Sequence, residues 1–180
     1  PALKSVFTPI HYFQLATEPL GDRASHILPE LQGLWDTGPI MFSLRRDGFG
    51  RIIIGSMGTL IGDKDGLSRR WAEKRLAKLF PDLGTVEFET GWHGRIAVTP
   101  DHIPQIHRLA DGLYAPIGYN GRGITPGTIF GRAIADLLAG GKEEDLPLPL
   151  STEIKSAPWA NAKARVYQAV FSANQLIKSI

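Results

Sequence analysis

Gly118-Tyr119-Asn120-Gly121-Arg122-Gly123 runs straight into Ile124-Thr125-Pro126-Gly127-Thr128-Ile129-Phe130-Gly131, and this junction organises the rest of the chain. Three glycines in six residues are too many for a helix or a strand interior, so 118–123 reads as a tight turn with its backbone N–H groups uncovered. Thr125 is a good helix N-cap, and Pro126 is at home in the first helical position. Ile129, Phe130, Ala133, Ile134, Leu137 and Leu138 then recur at helical spacing, and Gly140-Gly141 ends the run. A second stripe of small residues, Gly127, Gly131 and Ala135, permits another backbone to approach closely. A glycine turn feeding a helix N-terminus suits an anion or a developing negative charge. The same pattern is also compatible with a plain turn before a helix.

Outward from the junction, the N-terminal side is rich in strands. Residues 5–17 are β-branched and aromatic, with Pro9 marking an edge or bulge. Short strands are predicted at 33–36 and 40–45. Arg46-Asp47-Gly48-Phe49-Gly50 is a hairpin turn, in which Asp-Gly is expected to supply positive φ angles, and 51–56 is the returning strand. Spacing predicts a helix over 67–80, with Leu67, Trp71, Leu76, Leu79 and Phe80 on one face and Asp63 or Asp65 as its cap. Strands follow at 85–90, 92–98, 103–106 and 112–117. After the junction, a polar linker at 142–145 leads into a Pro-rich extended segment, 146–150. A last helix fits 160–177, with Val166, Val170, Ala173 and Ile177 as its apolar face. The fold class is α+β: a mostly antiparallel sheet with about three helices. The expected organisation is 1–117 as the sheet with one helix, 118–141 as the glycine loop and helix, and 142–180 as linker and terminal helix, all in one compact unit.

Composition narrows the function. The 180 residues are 43% hydrophobic and 21% charged, with a formal net charge of +2, as in ordinary globular proteins. Without a basic block, nucleic-acid binding is not expected. No apolar run has bilayer length, so no membrane span is expected. No cysteine is present, which removes disulfides, thiolate metal sites and thiol catalysis. No signal peptide is visible, and a cytoplasmic location is expected. His102 and His107 are five apart with Pro104 between, which gives no metal face, so no metal is expected. No Gly-x-Ser-x-Gly elbow or paired carboxylates appear. The chain opens on Pro1 in strand-like sequence, as expected of a processed, cleaved or truncated protein.

Taken in order, Trp92-His93-Gly94-Arg95, Thr99-Pro100-Asp101, Pro104, Leu113-Tyr114, the 118–123 loop and the helix with Gly131 resemble the C-terminal part of D-amino-acid-oxidase-type flavoproteins. Glycine oxidase, sarcosine oxidase and γ-glutamylputrescine oxidase are the relatives in question. Ala16-Thr17-Glu18-Pro19-Leu20, the Asp47-Gly48 hairpin and Leu79-Phe80-Pro81-Asp82-Leu83 extend the likeness over most of the chain. The resemblance implies an FAD-dependent oxidoreductase acting on the C–N bond of an amine or amino acid by hydride transfer to flavin. It implies that Gly118, Tyr119, Asn120, Gly121, Arg122, Gly123 and Ile124 bind the cofactor, and that the small stripe of the following helix packs on the FAD domain. Phe42, Trp92 and His93 are the candidate substrate-pocket residues, and no catalytic residue is assigned. The family's N-terminal Rossmann half, with its Gly-x-Gly-x-x-Gly fingerprint, is absent from these residues. The chain alone is therefore expected to be inactive and not to retain FAD. Its expected partners are a small amine or amino-acid substrate, an FAD-binding half in cis or in trans, and in isolation a second copy of itself. The alternative is a non-catalytic subunit or binding module that pairs with a separate FAD-binding chain. Relatives often place Tyr or Arg where Met41, Phe42 and Ser43 stand here, with Arg45 and Arg46 displaced toward the turn, so a larger amine is at least as plausible a substrate as a simple α-amino acid.

Overall fold

The computed structural model describes residues 3, 6–62, 66–153 and 155–179. Eight strands and three α-helices are present among them, and the α+β class stands. No helix among the described residues is long and apolar enough to cross a membrane. The chain divides into two compact units. One comprises residues 11–95 and 165–180; the other comprises 1–10 and 96–164.

The unit of residues 11–95 and 165–180 is organised by a five-stranded sheet, with β1 (Thr8–Thr17), β2 (Leu34–Trp35), β3 (Phe42–Arg46), β4 (Ile52–Met57) and β5 (Phe88–Val98) in the order β2-β3-β4-β1-β5. β3 and β4 pair antiparallel, with Phe42 opposite Ser56 and Arg46 opposite Ile52. β4 also pairs antiparallel with β1, Phe13 lying opposite Ser56. The sheet buries Phe13, Leu15, Leu44, Ile52 and Ile54 against helix α1 (Leu67–Leu79), which supplies Trp71, Ala72 and Leu76. Trp71 meets Phe13 edge-on, with ring centroids 5.4 Å apart. Burying each such side chain contributes roughly 1.5–3 kcal/mol before entropy is counted.

Several boundaries differ from the sequence reading, each for a local reason. The hairpin turn keeps Gly48 out of the left-handed region, and positive φ falls on Gly50 at 77°. The Asp47 carboxylate organises the turn instead, accepting from the Phe49 and Arg51 N–H groups at 2.9 Å. The expected caps Asp63 and Asp65 lie outside the described residues; Gly66 occupies the N-cap of α1. Residues 85–87 precede β5, and the Arg23 guanidinium donates to the Leu83 and Thr85 carbonyls at 2.9 and 2.8 Å. Those carbonyls are thereby satisfied outside the ladder.

The largest departure is the last helix, α3 (Ala160–Ser179). Its expected apolar face is exposed, with Ile177 at 71%, while Phe171, Gln175 and Ser179 are buried. A polar seam explains the rotation. Ser68 Oγ donates to Gln175 Oε1 at 2.8 Å, and Gln175 Nε2 donates to the Thr59 carbonyl at 3.3 Å. Gln168 Nε2 donates to Thr59 Oγ1 at 2.8 Å. Buried groups with partners cost little, whereas the same groups buried without partners would cost about 1–3 kcal/mol each.

The unit of residues 1–10 and 96–164 holds a three-stranded sheet of β6 (Gln105–Ala110), β7 (Leu113–Ile117) and β8 (Leu150–Ser151), in the order β7-β6-β8. β6 and β7 pair antiparallel, and β6 and β8 pair parallel, with His107 opposite Ser151. β6 begins only after Pro104, which has no N–H to give a ladder. The second helix, α2 (Ile124–Leu138), leaves β7 through residues 118–123 and ends where Gly140 takes φ 100°.

Candidate cofactor-edge loop

The loop 118–123 is held by its neighbours as much as by its own glycines. Gly118 sits at φ 94°, and a Cβ there would lie 2.5 Å from the Ile103 carbonyl oxygen and 3.1 Å from Pro104 Cα. Only glycine fits a position that is both left-handed and in backbone contact. Asn120 takes φ 51°, a region asparagine tolerates better than most residues. Its side chain anchors the loop: Oδ1 accepts from the Thr99 N–H at 2.9 Å, and Nδ2 donates to Thr99 Oγ1 at 3.4 Å and to the Gly118 carbonyl. Thr99, the partner in this contact, enters the sequence reading only within Thr99-Pro100-Asp101, with no role assigned to it. Its place directly before Pro100 is the signal that could have found it, because a residue preceding proline is held extended. Arg122 N–H donates to the Tyr119 carbonyl at 2.9 Å, closing the turn. Gly121 rests over Ile96, 3.2 Å from where a Cβ would stand.

Tyr119 lies inward and stacks on Phe130 with centroids 5.9 Å apart. Burial raises its hydroxyl above the usual range. Gly123 and Gly127 lie along this ring, 3.4 and 3.8 Å from their would-be Cβ atoms. Gly127 therefore already serves packing within the chain. Gly131, one turn on, faces open space, and Ile124 is 90% exposed. Arg122 and Gly121 are exposed as well.

Helix α2 starts at Ile124, two residues earlier than a Thr125 cap with Pro126 in the first helical position implies. Gly123 is the N-cap, with no side chain bonded to the free N–H groups, and Pro126 falls in the first turn, where an N–H would be unpaired anyway. The first turn carries no acidic residue. The helix therefore presents an uncompensated N-terminal dipole beside a loop of exposed backbone. An acceptor of negative charge placed there is stabilised by about 0.3–1 kcal/mol, and by more if solvent is excluded.

The candidate pocket residues lie in the other unit. Phe42 is a core residue, 5% exposed, with the Arg75 guanidinium 4.9 Å over its ring. Trp92 and His93 are exposed on β5. The His93 ring meets His11 edge-on at 5.5 Å. Burial, then His93 and Arg95, hold His11 below the usual histidine range. A polar cluster unforeseen from sequence lies between β1, β3 and β4. Tyr12 Oη donates to Ser43 Oγ at 2.8 Å and lies 3.2 Å from the Gly55 carbonyl. Burial raises the Tyr12 hydroxyl. Gly55 makes room for it: a Cβ there would stand 2.9 Å from Tyr12 Cε1.

Comparison with known proteins gives the family and the fold. Residues 1–137 match the family described as FAD dependent oxidoreductase. Gamma-glutamylputrescine oxidoreductase of Escherichia coli (strain K12) is 33% identical over 132 residues, covering 72% of this chain and 30% of that protein. A probable oxidoreductase, OrdL, of Haemophilus influenzae is 27% identical over 136 residues, covering 75% of this chain and 31% of that protein. The chain thus spans about a third of the length of the curated relatives it matches. Among solved structures, glycine oxidase from Geobacillus kaustophilus superposes with a TM-score of 0.57 at 20% identity, covering 85% of this chain and 41% of that one. L-proline dehydrogenase from P. horikoshii gives 0.53 at 23% identity, covering 79% and 38%. These two show a shared fold. With more than half of its residues matched, the chain belongs to the FAD dependent oxidoreductase family.

Proposed function

We propose that this chain is the C-terminal portion of an FAD-dependent enzyme that oxidises the C–N bond of an amine or amino acid, and that residues 118–124 form the edge against which the flavin rests. The observation that carries the reading is the loop itself: backbone locked open by Gly118 and Asn120, continuous with a helix N-terminus that no side chain caps. When bound, flavin would supply the two-electron redox chemistry by which the C–N bond is oxidised. The chain's own part is electrostatic. The N–H groups of residues 120, 121, 123 and 124 (that of Arg122 being spent on the Tyr119 carbonyl) and the α2 dipole favour negative charge beside them, and they are held in place before the reaction begins. Arg122 adds a mobile positive charge at the same edge.

The substrate class rests on the E. coli relative, whose name specifies gamma-glutamylputrescine, and on the phenylalanine core at position 42. A residue buried under Arg75 leaves no carboxylate-binding group at that point of β3. A larger amine fits better than a simple α-amino acid. Trp92 and His93 remain the proposed pocket residues, with Tyr12 beside Ser43 as an addition from the structure.

The FAD-binding half, in cis or on a second polypeptide, would cover Ile124, Gly131 and the exposed side of α2. In isolation, a second copy of the chain would serve the same apolar face. The test is the complete protein, with this chain and its FAD-binding half. It should purify yellow and bleach anaerobically on addition of a γ-glutamylated diamine or a related amine. A colourless complete protein without FAD affinity would refute the reading.

A further inference from the structure

Helix α3 turns its more apolar side to solvent. Val166, Val170, Ala173 and Ile177 follow one another at spacings of four, three and four residues. All are exposed, Val166 at 61% and Ile177 at 71%. Phe171, Gln175 and Ser179 lie on the opposite side of the helix and are buried. A stripe at these spacings is the narrow seam along which one helix packs on another, whereas the stripes that face a core are broader. Tyr167 and Asn174 flank the seam on one side, and Ala169 and Leu176 on the other. None of them is charged, and residues 166–177 contain no Asp, Glu, Lys or Arg. A helix face that meets only solvent ordinarily carries charge. The centre of an interface is depleted of it. Arg165 and Lys178 stand just beyond the two ends of the seam.

We propose that this seam is a self-association surface, on which a second copy of the chain lays its own α3 antiparallel. The order of the residues selects that partner. A two-fold axis passing between Val170 and Ala173 maps the seam onto itself. Val166 then meets the partner's Ile177, and Val170 meets the partner's Ala173, whose small side chain lets the helices approach closely. A two-fold interface uses the same patch on both copies, so the patch must be complementary to itself. An uncharged seam meets that condition without setting like charges together. A helix that lies on anionic lipid carries Lys and Arg along its stripe, and residues 166–177 have none. Because the seam is opposite the buried side of α3, a second helix reaches it without disturbing the bonds of Gln175 to Ser68 and Thr59. The seam and its flanks offer eight residues a copy, few against the roughly 20–30 a side of a standard interface. The dimer is therefore weak and concentration-dependent.

The test uses the complete protein, with or without flavin, and does not depend on the reading of residues 118–124. Sedimentation equilibrium over about 1–200 µM, a range that brackets small interfaces, should show monomer passing into dimer. Val170→Glu, which the two-fold axis brings into the interface twice, should raise the dissociation constant by about tenfold or more. Val170→Gln should act in the same direction and keeps the test open if the Glu variant fails to fold. Phe49→Ser removes an apolar side chain that is 77% exposed elsewhere, and it should leave the dissociation constant unchanged. In Ile177→Cys the new thiol should be alkylated freely in dilute monomer and slowly in concentrated dimer. A monomer at every concentration, or a dimer unmoved by both Val170 variants, would overturn the proposal. So would slow alkylation in dilute monomer, which would put another part of the protein on α3. Recruitment of monomer to phosphatidylserine vesicles without dimerisation would overturn it too.

Discussion

Replacing Gly118 by alanine is the sharpest probe of how the loop is built. Two costs add at that position. An L-residue held in the left-handed region loses about 1–2 kcal/mol. The new Cβ also stands 2.5 Å from the Ile103 carbonyl oxygen, well inside ordinary contact, and the obstacle is backbone rather than a flexible side-chain end. Relieving it means moving the 103–104 segment or the loop by several tenths of an ångström, at a further cost of about 1–3 kcal/mol. The expected loss is therefore about 2–5 kcal/mol, a large fraction of the roughly 5–15 kcal/mol of an ordinary domain. Urea unfolding read at amides of β6 and β7 reports the unit that carries the loop. With a slope of about 1–3 kcal/mol per molar, the midpoint should fall by about 1–2 M. Gly131→Ala is the matched control: it lies in a helix, at negative φ, with open space around it. It should stabilise the isolated chain by about 0.5–1 kcal/mol. Should Gly118→Ala unfold within about 0.2 M of the parent, the loop is not pinned on Ile103 and the argument for a preset cofactor edge fails.

Other expectations follow from the same geometry. Asn120→Ala removes the acceptor of the Thr99 N–H and should cost about 1–2 kcal/mol in urea unfolding, with faster Thr99 amide exchange. Ile124→Asp, at a 90% exposed site, should change the stability of the isolated chain by less than about 0.5 kcal/mol yet lower the flavin content of the complete protein, measured by its visible absorbance. Ser68→Ala strands Gln175 Oε1 in the α3 seam and should cost about 1–3 kcal/mol in thermal or urea unfolding. The double variant Ser68→Ala with Gln175→Met should recover much of that loss. Burial depresses His107, and burial with His93 and Arg95 depresses His11, so the unfolded chain binds protons that the folded chain refuses. Stability should be fully present above the usual histidine value of about 6.5 and decline as pH falls below it. Asp101 and Lys155 line the same pocket as His107, and the decline should shrink in folded His107→Gln. A flat profile from pH 7.5 to 5.5 would contradict the burial assigned to both rings.

The elements that were legible in the sequence are those in which one signal dominates. Helix α1 follows from Trp71 and Leu76 recurring on one face, and the β3–β4 hairpin from an apolar run on each side of Asp47-Gly48. The end of α2 follows from Gly140-Gly141. Legibility failed where two signals competed. On α3 the aliphatic stripe Val166, Val170, Ala173 and Ile177 is the stronger pattern, yet glutamines 168 and 175 face inward. The reason lies about a hundred residues away, in Ser68 and Thr59, which no local window contains. Thr125 likewise looks like a cap, but the glycine turn before it already bends the chain into the helix at Gly123.

The loop itself shows why composition alone could suggest a site but not build one. Its glycines announce exposed backbone, and that much is visible in residues 118–123. What fixes the backbone is Asn120, whose left-handed conformation is held by its side-chain hydrogen bonds. Its partner, Thr99, arrives from the end of β5. Gly118 is needed because the Ile103–Pro104 segment, one strand away, leaves no room for a Cβ. Both contacts fall on residues 99–104. A loop whose geometry depends on a neighbouring segment is only as steady as that segment. The loop and the segment beside it are therefore one structural problem: loosening residues 99–104 should reach Asn120 before it reaches the α2 helix, whose own backbone bonds are closed from Gly127 onward.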